Sequence, residues 1–486
     1  MTEKYPQWEL EEEERDEFNT WFWTGRKNRC DITANELIAF PIQQRIEKLT
    51  EPSDDYPNDR LSLFASICQE KPEFALETMK VLVEQSNWDA SVWHSAIMAL
   101  SDANAPQYWL ETAKLIVQLP NGFFATEAWV ISRWLNKTIG AIAANSVEEA
   151  YFWQIFDLLV THAQPVEAKE DVIFGAINNP IGILTEAFIS RFSVREYKAK
   201  EKISEDNLLS RLNKLVSAEE SPFILARVIL VSRLHYFYAI DPGWTRNNLI
   251  PLLDWDLSGE ADALWQGWLW NPRVSVDLGL DIKEHLLKTL LLHSSELGKK
   301  TEMLYQLFAS LCFEYKTLYS IEEQQKILNA IGQQGLKIIA RSIKLSFGEN
   351  TQQNDQYWKN RIKPFFINAW PKESQLLSPE ISRFFADMSL DLDEEFEDAV
   401  RCIKSILTHC EIGSLLRKLK KSQHIEKHPR TAFDLLATVF DPDNERFIHI
   451  NDFKEIIDSL VSNDPEIKND LRYQAIEQYL KRNSSY

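Results

Sequence analysis

The sequence predicts an all-α fold in which helices pack on their neighbours along an elongated array, as in an α-solenoid of the HEAT or TPR kind. The chain of 486 residues has only 14 Gly and 19 Pro, so the residues that β-hairpins and sharp turns need are scarce. Hydrophobic residues make up 44% of it, with 16 Trp and 26 Phe to bury. Apolar residues recur at helical spacing, although no fixed-period repeat assigns the array to a known repeat class.

Two kinds of local signal place individual helices. The S-x-x-E pattern at Ser146, and again at Ser320, is typical of a capping box, whose side chains satisfy orphan amides of the first helical turn. Ser378 followed by Pro379 indicates another helix start, because proline in the first turn loses no hydrogen bond. Apolar spacing predicts three buried faces, formed by Phe152, Ile155, Phe156 and Leu159, by Leu208, Leu212, Leu215 and Val216, and by Ile381, Phe384, Phe385 and Met388.

Three polar stretches interrupt the helical pattern, at residues 50–60, 346–356 and 421–430. We expect the first two to be domain boundaries and the third to be a loop. The predicted organisation is an acidic helical segment over residues 1–60, a central helical array over 61–347 and a carboxy-terminal helical unit over 357–486.

Composition limits the function. The formal net charge of -20 opposes broad binding to nucleic acid or to an anionic membrane surface. Five cysteines without a C-x-x-C spacing indicate neither a disulfide framework nor a zinc site, which fits a reducing cytoplasm. Residues 1–17 are acidic and polar, and no apolar stretch reaches membrane-spanning length, so we predict no export signal and no membrane partner.

The familiar sequence signatures of catalysis are missing. We find no phosphate-binding glycine loop, nucleophile elbow, HExxH zinc helix or kinase motif set, and the nearest glycine pair, Gly332 and Gly335, lies inside a helical pattern. Cys402, His409 and Cys410 could share one side of a helix, but three potential ligands do not complete a tetrahedral metal site. We therefore predict a protein that is not an enzyme and has no cofactor and no metal. Catalysis by this group is the weakest alternative.

Two basic runs, at residues 191–202 and 417–430, offer a route to phosphate groups. Acidic residues interrupt both runs, which favours solvated helix faces. Because the second run is dense, a nucleic-acid-binding accessory subunit remains the alternative function. Its phosphate-contact candidates are Arg417, Lys418, Lys420 and Lys421.

Aromatic motifs occur in a characteristic order along the chain. They are Phe18-Asn-Thr-Trp21, Leu253-Asp254-Trp255, Trp265-Gln-Gly-Trp268-Leu-Trp270-Asn-Pro272-Arg273, Tyr357-Trp358-Lys-Asn-Arg361 and Ala369-Trp370-Pro371-Lys372. This series resembles the uncharacterised carboxy-terminal helical region of large bacterial proteins linked to anti-phage defence, including sirtuin-like ones. The resemblance covers most of the chain, and its specificity comes from the tryptophan-rich centre and the Tyr-Trp to Trp-Pro-Lys segment.

The resemblance implies a division of labour between an amino-terminal effector and a helical region that senses, scaffolds or restrains it. No strand-glycine-helix nucleotide unit precedes residue 60, so NAD hydrolysis is not transferred to this chain, and the effector is expected on another chain or outside this sequence. The expected function is a cytoplasmic scaffold or sensor that binds a defence effector or a phage protein. The oligomeric state is left open.

Burial inside the array is the simpler account of the aromatic motifs. A partner surface would instead leave part of the tryptophan cluster exposed beside an arginine, the combination typical of binding hot spots. The partner-binding candidates are Trp255, Trp265, Trp268, Trp270, Arg273, Tyr357, Trp358, Arg361, Trp370 and Lys372.

Overall fold

Regular secondary structure in the computed structural model is helical. The structure describes residues 30–51, 59–103, 105–165, 171–204, 206–217, 221–443 and 449–483. No β-strand occurs within these ranges, which confirms the predicted all-α class. The motif that contains Phe18 and Trp21 lies outside the described residues.

The α-helices follow one another with short connections. The first half of the chain holds α1 (Ala34–Ala39), α2 (Ile42–Thr50), α3 (Asp59–Glu70), α4 (Pro72–Glu84), α5 (Ala90–Asp102), α6 (Trp109–Ile116), α7 (Phe123–Thr126), α8 (Ala128–Lys137), α9 (Val147–Thr161), α10 (Val172–Asn178), α11 (Pro180–Ser193), α12 (Asp206–Val216), α13 (Ile224–Ser232), α14 (Leu234–Ile240) and α15 (Pro242–Asn248). The second half holds α16 (Ala261–Trp268), α17 (Val276–Lys288), α18 (Thr301–Glu314), α19 (Ile321–Leu345), α20 (Thr351–Tyr357), α21 (Lys363–Asn368), α22 (Pro379–Ser389), α23 (Phe396–Ile403), α24 (Gly413–Lys421), α25 (His424–Lys427), α26 (Pro429–Val439), α27 (Ile450–Asn463) and α28 (Leu471–Asn483).

Short segments of other helix types join these elements. The 3₁₀ turns are Pro106–Tyr108, Ile139–Ala141, Ser221–Phe223, Ile250–Leu253, Ser294–Lys300, Ser374–Leu376, Lys404–Ile406 and Pro465–Asn469. Two segments, Thr289–His293 and Trp358–Ile362, are π-helical.

Two compact units make up the chain. The first comprises residues 1–233 and 239–244, and the second comprises residues 234–238 and 245–486. The division therefore comes within α14 and α15, whereas the boundary expected at residues 346–356 lies inside the second unit.

Helices of the first unit contact one another in two series. One series runs α3, α5, α8, α11 and α13, and the other runs α2, α4, α6 and α9, with α9 also against α11. This is the neighbour-on-neighbour packing that the predicted array requires, while its membership of the solenoid class remains a prediction. No single helix of the described ranges is long and apolar enough to cross a membrane; α10 and α11 pass that test only as a pair bent by 75°.

The predicted helix starts and buried faces are confirmed. Ser320 and Glu323 form a complete capping box. Ser146 Oγ accepts the Glu149 amide at 3.1 Å, but the Glu149 carboxylate turns to the Asn145 amide at 2.6 Å. The predicted buried faces of α9 and α12 are fully buried, and that of α22 is buried except at the partly exposed Phe384.

Helices of the second unit also pack in order, with α18 on α19, α19 on α22, α22 on α24, α24 on α27 and α27 on α28. A kink divides α19 at Gly332, whose φ of +61° is a conformation that side chains with a Cβ rarely adopt. The π-helical segment before α21 has a local cause, because Pro364 has no N–H to offer the carbonyl of Asn360.

The polar stretch at residues 346–356 is mostly the helix α20. Asn350 caps its first turn by accepting the amide of Gln353 at 3.1 Å. Asn354 is buried and donates to the carbonyls of Gly348 and Asp391, both at 2.8 Å. Asn350 and Asn354 thus satisfy backbone groups of the unit, a role that local sequence patterns cannot distinguish from that of polar residues in a linker.

Candidate partner-binding surface

Two rings of the tryptophan-rich centre are core residues of the second unit. Trp265 and Trp268 are buried, and their rings meet edge to face with centroids 5.2 Å apart. Trp265 Nε1 donates a 2.9 Å hydrogen bond to the carbonyl oxygen of Leu253. Because both rings are covered and the Trp265 indole N–H is satisfied, these two candidates stabilise the fold.

Trp270 lies on the surface instead. It follows the carboxy-terminal end of α16, and 57% of it is exposed. The Nζ of Lys300 lies 4.4 Å from the ring centroid, a cation–π arrangement. Arg273 is exposed three residues further on, and neither Arg273 nor Lys300 pairs with a carboxylate of the described residues. We refer to Trp270, Arg273 and Lys300 as the Trp270 patch.

Trp255 is half-buried and held by two contacts. Its Nε1 donates to Thr289 Oγ1 at 2.8 Å, and its ring stacks on the imidazole of His293 with centroids 4.3 Å apart and an interplanar angle of 6°. His293 Nδ1 in turn lies 2.8 Å from Glu296 Oε1. Both contact partners of Trp255, Thr289 and His293, belong to the π-helical segment Thr289–His293, so this candidate mainly anchors that segment.

The tryptophans of the later motifs are buried. Trp358 Nε1 donates to Asp398 Oδ2 at 3.2 Å, and Lys363 pairs with the same carboxylate at 2.8 Å. Trp370 packs edge to face on Phe385 with centroids 5.0 Å apart. Burial alone would raise the pKa of Asp398. Hydrogen bonds from Lys363 and from the Trp358 N–H stabilise the charged carboxylate, and the net result is a lowered pKa. These residues join α21, α22 and α23.

The remaining candidates of this segment are accessible. Arg361 Nη1 donates to the carbonyls of Phe313 and Glu314 at 3.3 and 3.0 Å, so it covers the end of α18. Tyr357 is half-buried, and burial raises the pKa of its phenol. Lys372 is exposed.

An open groove with a volume of about 870 Å³ brings Tyr357 and Arg361 together. Lys316 and five carboxamide side chains complete its lining. None of these six residues was predicted to belong to a site. Most of them belong to the Gln/Asn cluster at residues 350–356 of the sequence. Polarity alone assigns such a cluster to a linker.

The dense basic run is largely paired with carboxylates. Lys418 lies 2.6 Å from Asp391 Oδ1, and Lys420 lies 2.8 and 2.7 Å from the carboxylates of Asp452 and Glu455. The hydrogen bonds that Lys420 donates to these two carboxylates raise its pKa. Exposed positions without a carboxylate partner in the described ranges are Arg417 and Lys421. Phosphate would therefore compete with carboxylates already in place.

The first basic run begins in the interior of the first unit. Arg191 and Arg195 both donate to Glu149 Oε1, at 2.7 and 3.0 Å. Arg191 is buried in α11 and also donates to the carbonyl of Ile142 at 2.8 Å. These two arginines are structural groups and do not form an accessible phosphate site.

The cysteine and histidine candidates have ordinary surroundings. Burial raises the pKa of the Cys402 thiol, with a further contribution from the charge of Asp398. Cys410 is buried, and His409 is exposed beside Asp441 at 3.5 Å. Across the residues that the structure describes, no three His, Cys, Asp or Glu side chains cluster in a way that could hold a metal ion.

The chain matches no protein-family model, no curated protein and no solved structure.

Proposed function

We propose that this chain is a non-catalytic helical scaffold or sensor that binds a protein partner through the Trp270 patch. The supporting observation is the exposure of Trp270 against Lys300, with Arg273 exposed three positions further along the chain and neither cation paired with a described carboxylate. Among the motif tryptophans that the structure describes, the others are buried or half-buried and have structural contacts. Within that set, Trp270 is therefore the tryptophan that a partner could cover.

An exposed indole beside an arginine has the chemistry of a binding hot spot. Covering a tryptophan side chain removes roughly 150–250 Å² of largely apolar surface from water and costs little conformational entropy, since the ring has few rotatable bonds. Truncation of such residues typically costs about 2 kcal/mol or more of binding energy. Arg273 and Lys300 add positive charge at the rim, so the partner should present carboxylates around an apolar centre.

A protein suits this patch better than a nucleic acid. The chain carries a net charge of -20, which repels a polyanion at long range but has a smaller effect on a protein with a few surface carboxylates. The basic run at residues 417–430 adds little local attraction, because carboxylates already neutralise Lys418 and Lys420. The nucleic-acid-binding alternative thus depends mainly on Arg417 and Lys421.

The biological setting that we propose is bacterial anti-phage defence in the cytoplasm. Its support is the ordered series of aromatic motifs, from Leu253 to Lys372, which resembles the helical region of large defence proteins. In this proposal the partner is either a defence effector subunit or a phage protein that triggers it.

The test is affinity capture with tagged full-length protein from phage-infected and uninfected cells. Capture is run on untreated and on nuclease-treated lysates, and captured proteins are quantified by mass spectrometry. Wild type should enrich a specific protein, and Trp270→Ala should lose it. With the purified partner, Trp270→Ala should raise the Kd by about 30-fold, which corresponds to roughly 2 kcal/mol.

The matched control is Leu345→Ala, because Leu345 is 65% exposed but outside the aromatic motifs. It should capture as much partner as wild type. Equal capture by Trp270→Ala would disprove the role of the patch. Recovery of nucleic acid alone, with an affinity that falls steeply with salt, would instead support the accessory-subunit function.

A further inference from the structure

We propose that the groove at α20 binds an extended, acidic peptide segment of another protein. The carboxamides of the groove would hydrogen-bond to the peptide main chain, and Lys316 and Arg361 would pair with its side-chain carboxylates. This site shares no residue with the Trp270 patch, and the proposal does not rest on the function proposed above.

The groove has a regular arrangement of donors and acceptors. Its five carboxamides belong to Asn350, Gln352, Gln353, Gln356 and Asn360. Positions 353, 356 and 360 follow the helical spacing of one face of α20 and of the π-helical segment after it. All five residues are exposed, so the groove presents a stripe of amide groups to solvent.

Internal contacts leave part of this hydrogen-bonding capacity available. Asn360 Nδ2 donates to Gln356 Oε1 at 3.2 Å, which uses one donor and one acceptor. The side chains of Gln352 and Gln353 have no hydrogen-bond partner in the described parts of the chain. A primary amide carries both a donor and an acceptor, as does each peptide unit, so such a stripe can bind an extended main chain.

The charge of the groove predicts an acidic ligand. Lys316 is exposed and pairs with no described carboxylate, and the residues that line the groove include no Asp or Glu. Carbonyl acceptors on Phe313 and Glu314 fix the Arg361 guanidinium in place, with the Glu314 carboxylate at 3.7 Å. The whole chain has a net charge of -20, whereas the residues that line the groove are positive in sum. This local positive charge favours carboxylate ligands.

Single-stranded nucleic acid fits the groove less well. Its binding usually depends on aromatic rings on which bases stack. The groove has one ring, Tyr357, which is half-buried and packs edge to face on Phe347 with centroids 5.8 Å apart. The next ring, Trp358, is buried. A peptide can bind without stacking on aromatic rings. It also brings fewer negative charges to this acidic protein than a nucleic acid does.

The experiment uses the full-length protein and immobilised pools of random peptides of about 12 residues, long enough to lie extended in a groove. One pool has Asp-Glu at its centre, a second has Lys-Arg and a third has Ser-Asn. Wild type should retain the acidic pool about tenfold better than the basic pool. Lys316→Glu should abolish this preference, and Gln353→Ala combined with Gln356→Ala and Asn360→Ala should reduce retention of the acidic pool about tenfold.

Control variants alter exposed residues of α19, outside the groove. Lys326→Glu and Asn329→Ala should retain the acidic pool as wild type does. Circular dichroism melts confirm that each variant is folded. Absence of an acidic preference in wild type, or groove variants that bind as wild type does, would overturn the proposal. Displacement of the peptides by an oligothymidylate of similar length would also overturn it, in favour of nucleic acid.

Discussion

Glu149 and Arg191 form an ion pair in the interior of the first unit, with 2.7 Å between Glu149 Oε1 and Arg191 Nη2. Their side chains are 5% and 1% exposed. Arg195 adds a second contact to the same oxygen at 3.0 Å, and the Asn145 amide donates to Oε2 at 2.6 Å. This carboxylate therefore links the start of α9 to the end of α11 in one hydrogen-bonded group.

Removal of one partner should be costly. We expect Glu149→Ala to lower the free energy of unfolding by about 3–5 kcal/mol, because it leaves the charge of Arg191 buried and unpaired. Urea denaturation followed by circular dichroism measures the change. Glu186→Ala breaks the more exposed pair with Arg233 and should cost less than about 1 kcal/mol. Similar losses for the two variants would contradict this account.

Acid should destabilise the chain through Asp470. Hydrogen bonds and charge from Arg472, helped by the charge of Arg430 and opposed by burial, lower its pKa from 3.8 to about 2. Since the carboxylate is more acidic in the folded state, its stabilisation is complete above about pH 4 and is lost as the pH falls toward about 2.

The corresponding variant is Asp470→Asn, measured by urea denaturation at several pH values. It should cost about 1 kcal/mol at neutral pH, a modest value because solvent reaches Arg430 and Arg472. It should also reduce the loss of stability below pH 4 relative to wild type. Asp458→Asn, at an exposed site, is the control. An unchanged acid response in Asp470→Asn would show that the pair does not contribute.

Trp268 and Trp270 should lose very different amounts of stability on truncation, although only one residue separates them. Trp268→Ala should lower the free energy of unfolding by about 3–5 kcal/mol, because it leaves a cavity beside Trp265. Trp270→Ala should cost about 1 kcal/mol or less, since it loses mainly the contact with Lys300. Chemical denaturation of both variants checks this ranking, and a larger loss for Trp270→Ala would show that its ring is a core residue.

Asp355 should be the main stabiliser of the start of α23. Its carboxylate accepts the amides of Asp393, Glu394 and Glu395 at 3.1, 3.2 and 3.3 Å. Asp355→Ala should therefore cost about 2 kcal/mol, because three partly buried amides lose their acceptor. Hydrogen exchange should become faster over residues 393–396. The exposed Glu394→Ala should change neither quantity, and unchanged exchange in Asp355→Ala would argue against this role.

Local sequence patterns predicted the all-α fold class and the main buried faces. Periodic apolar residues and side-chain caps act within one or two turns, so Phe152, Leu212 and Ser320 were placed correctly. The internal kink at Gly332 was not expected, because a positive φ inside a helical pattern depends on tertiary packing.

Long-range contacts limit what the sequence reveals about the site. Trp268 and Trp270 have similar local sequence contexts, and only the end of α16 after Trp268 separates a buried ring from an exposed one. Lys300 comes to the Trp270 ring from a distant part of the sequence. The carboxylates that neutralise Lys420 likewise lie more than 30 positions away. Such pairings depend on the tertiary fold and leave no local pattern.

The π-helical turn at Trp358–Ile362 makes the length of this region as important as its composition. The amide of Lys363 bonds to the carbonyl of Trp358, five positions back, so the turn holds one residue more than an α-helical turn. Deleting one residue would close a regular turn and rotate the preceding helix by roughly 100° relative to α21. Asn360 would then leave the groove or Trp358 would leave the core. This segment should therefore tolerate substitutions on its exposed face but neither insertions nor deletions.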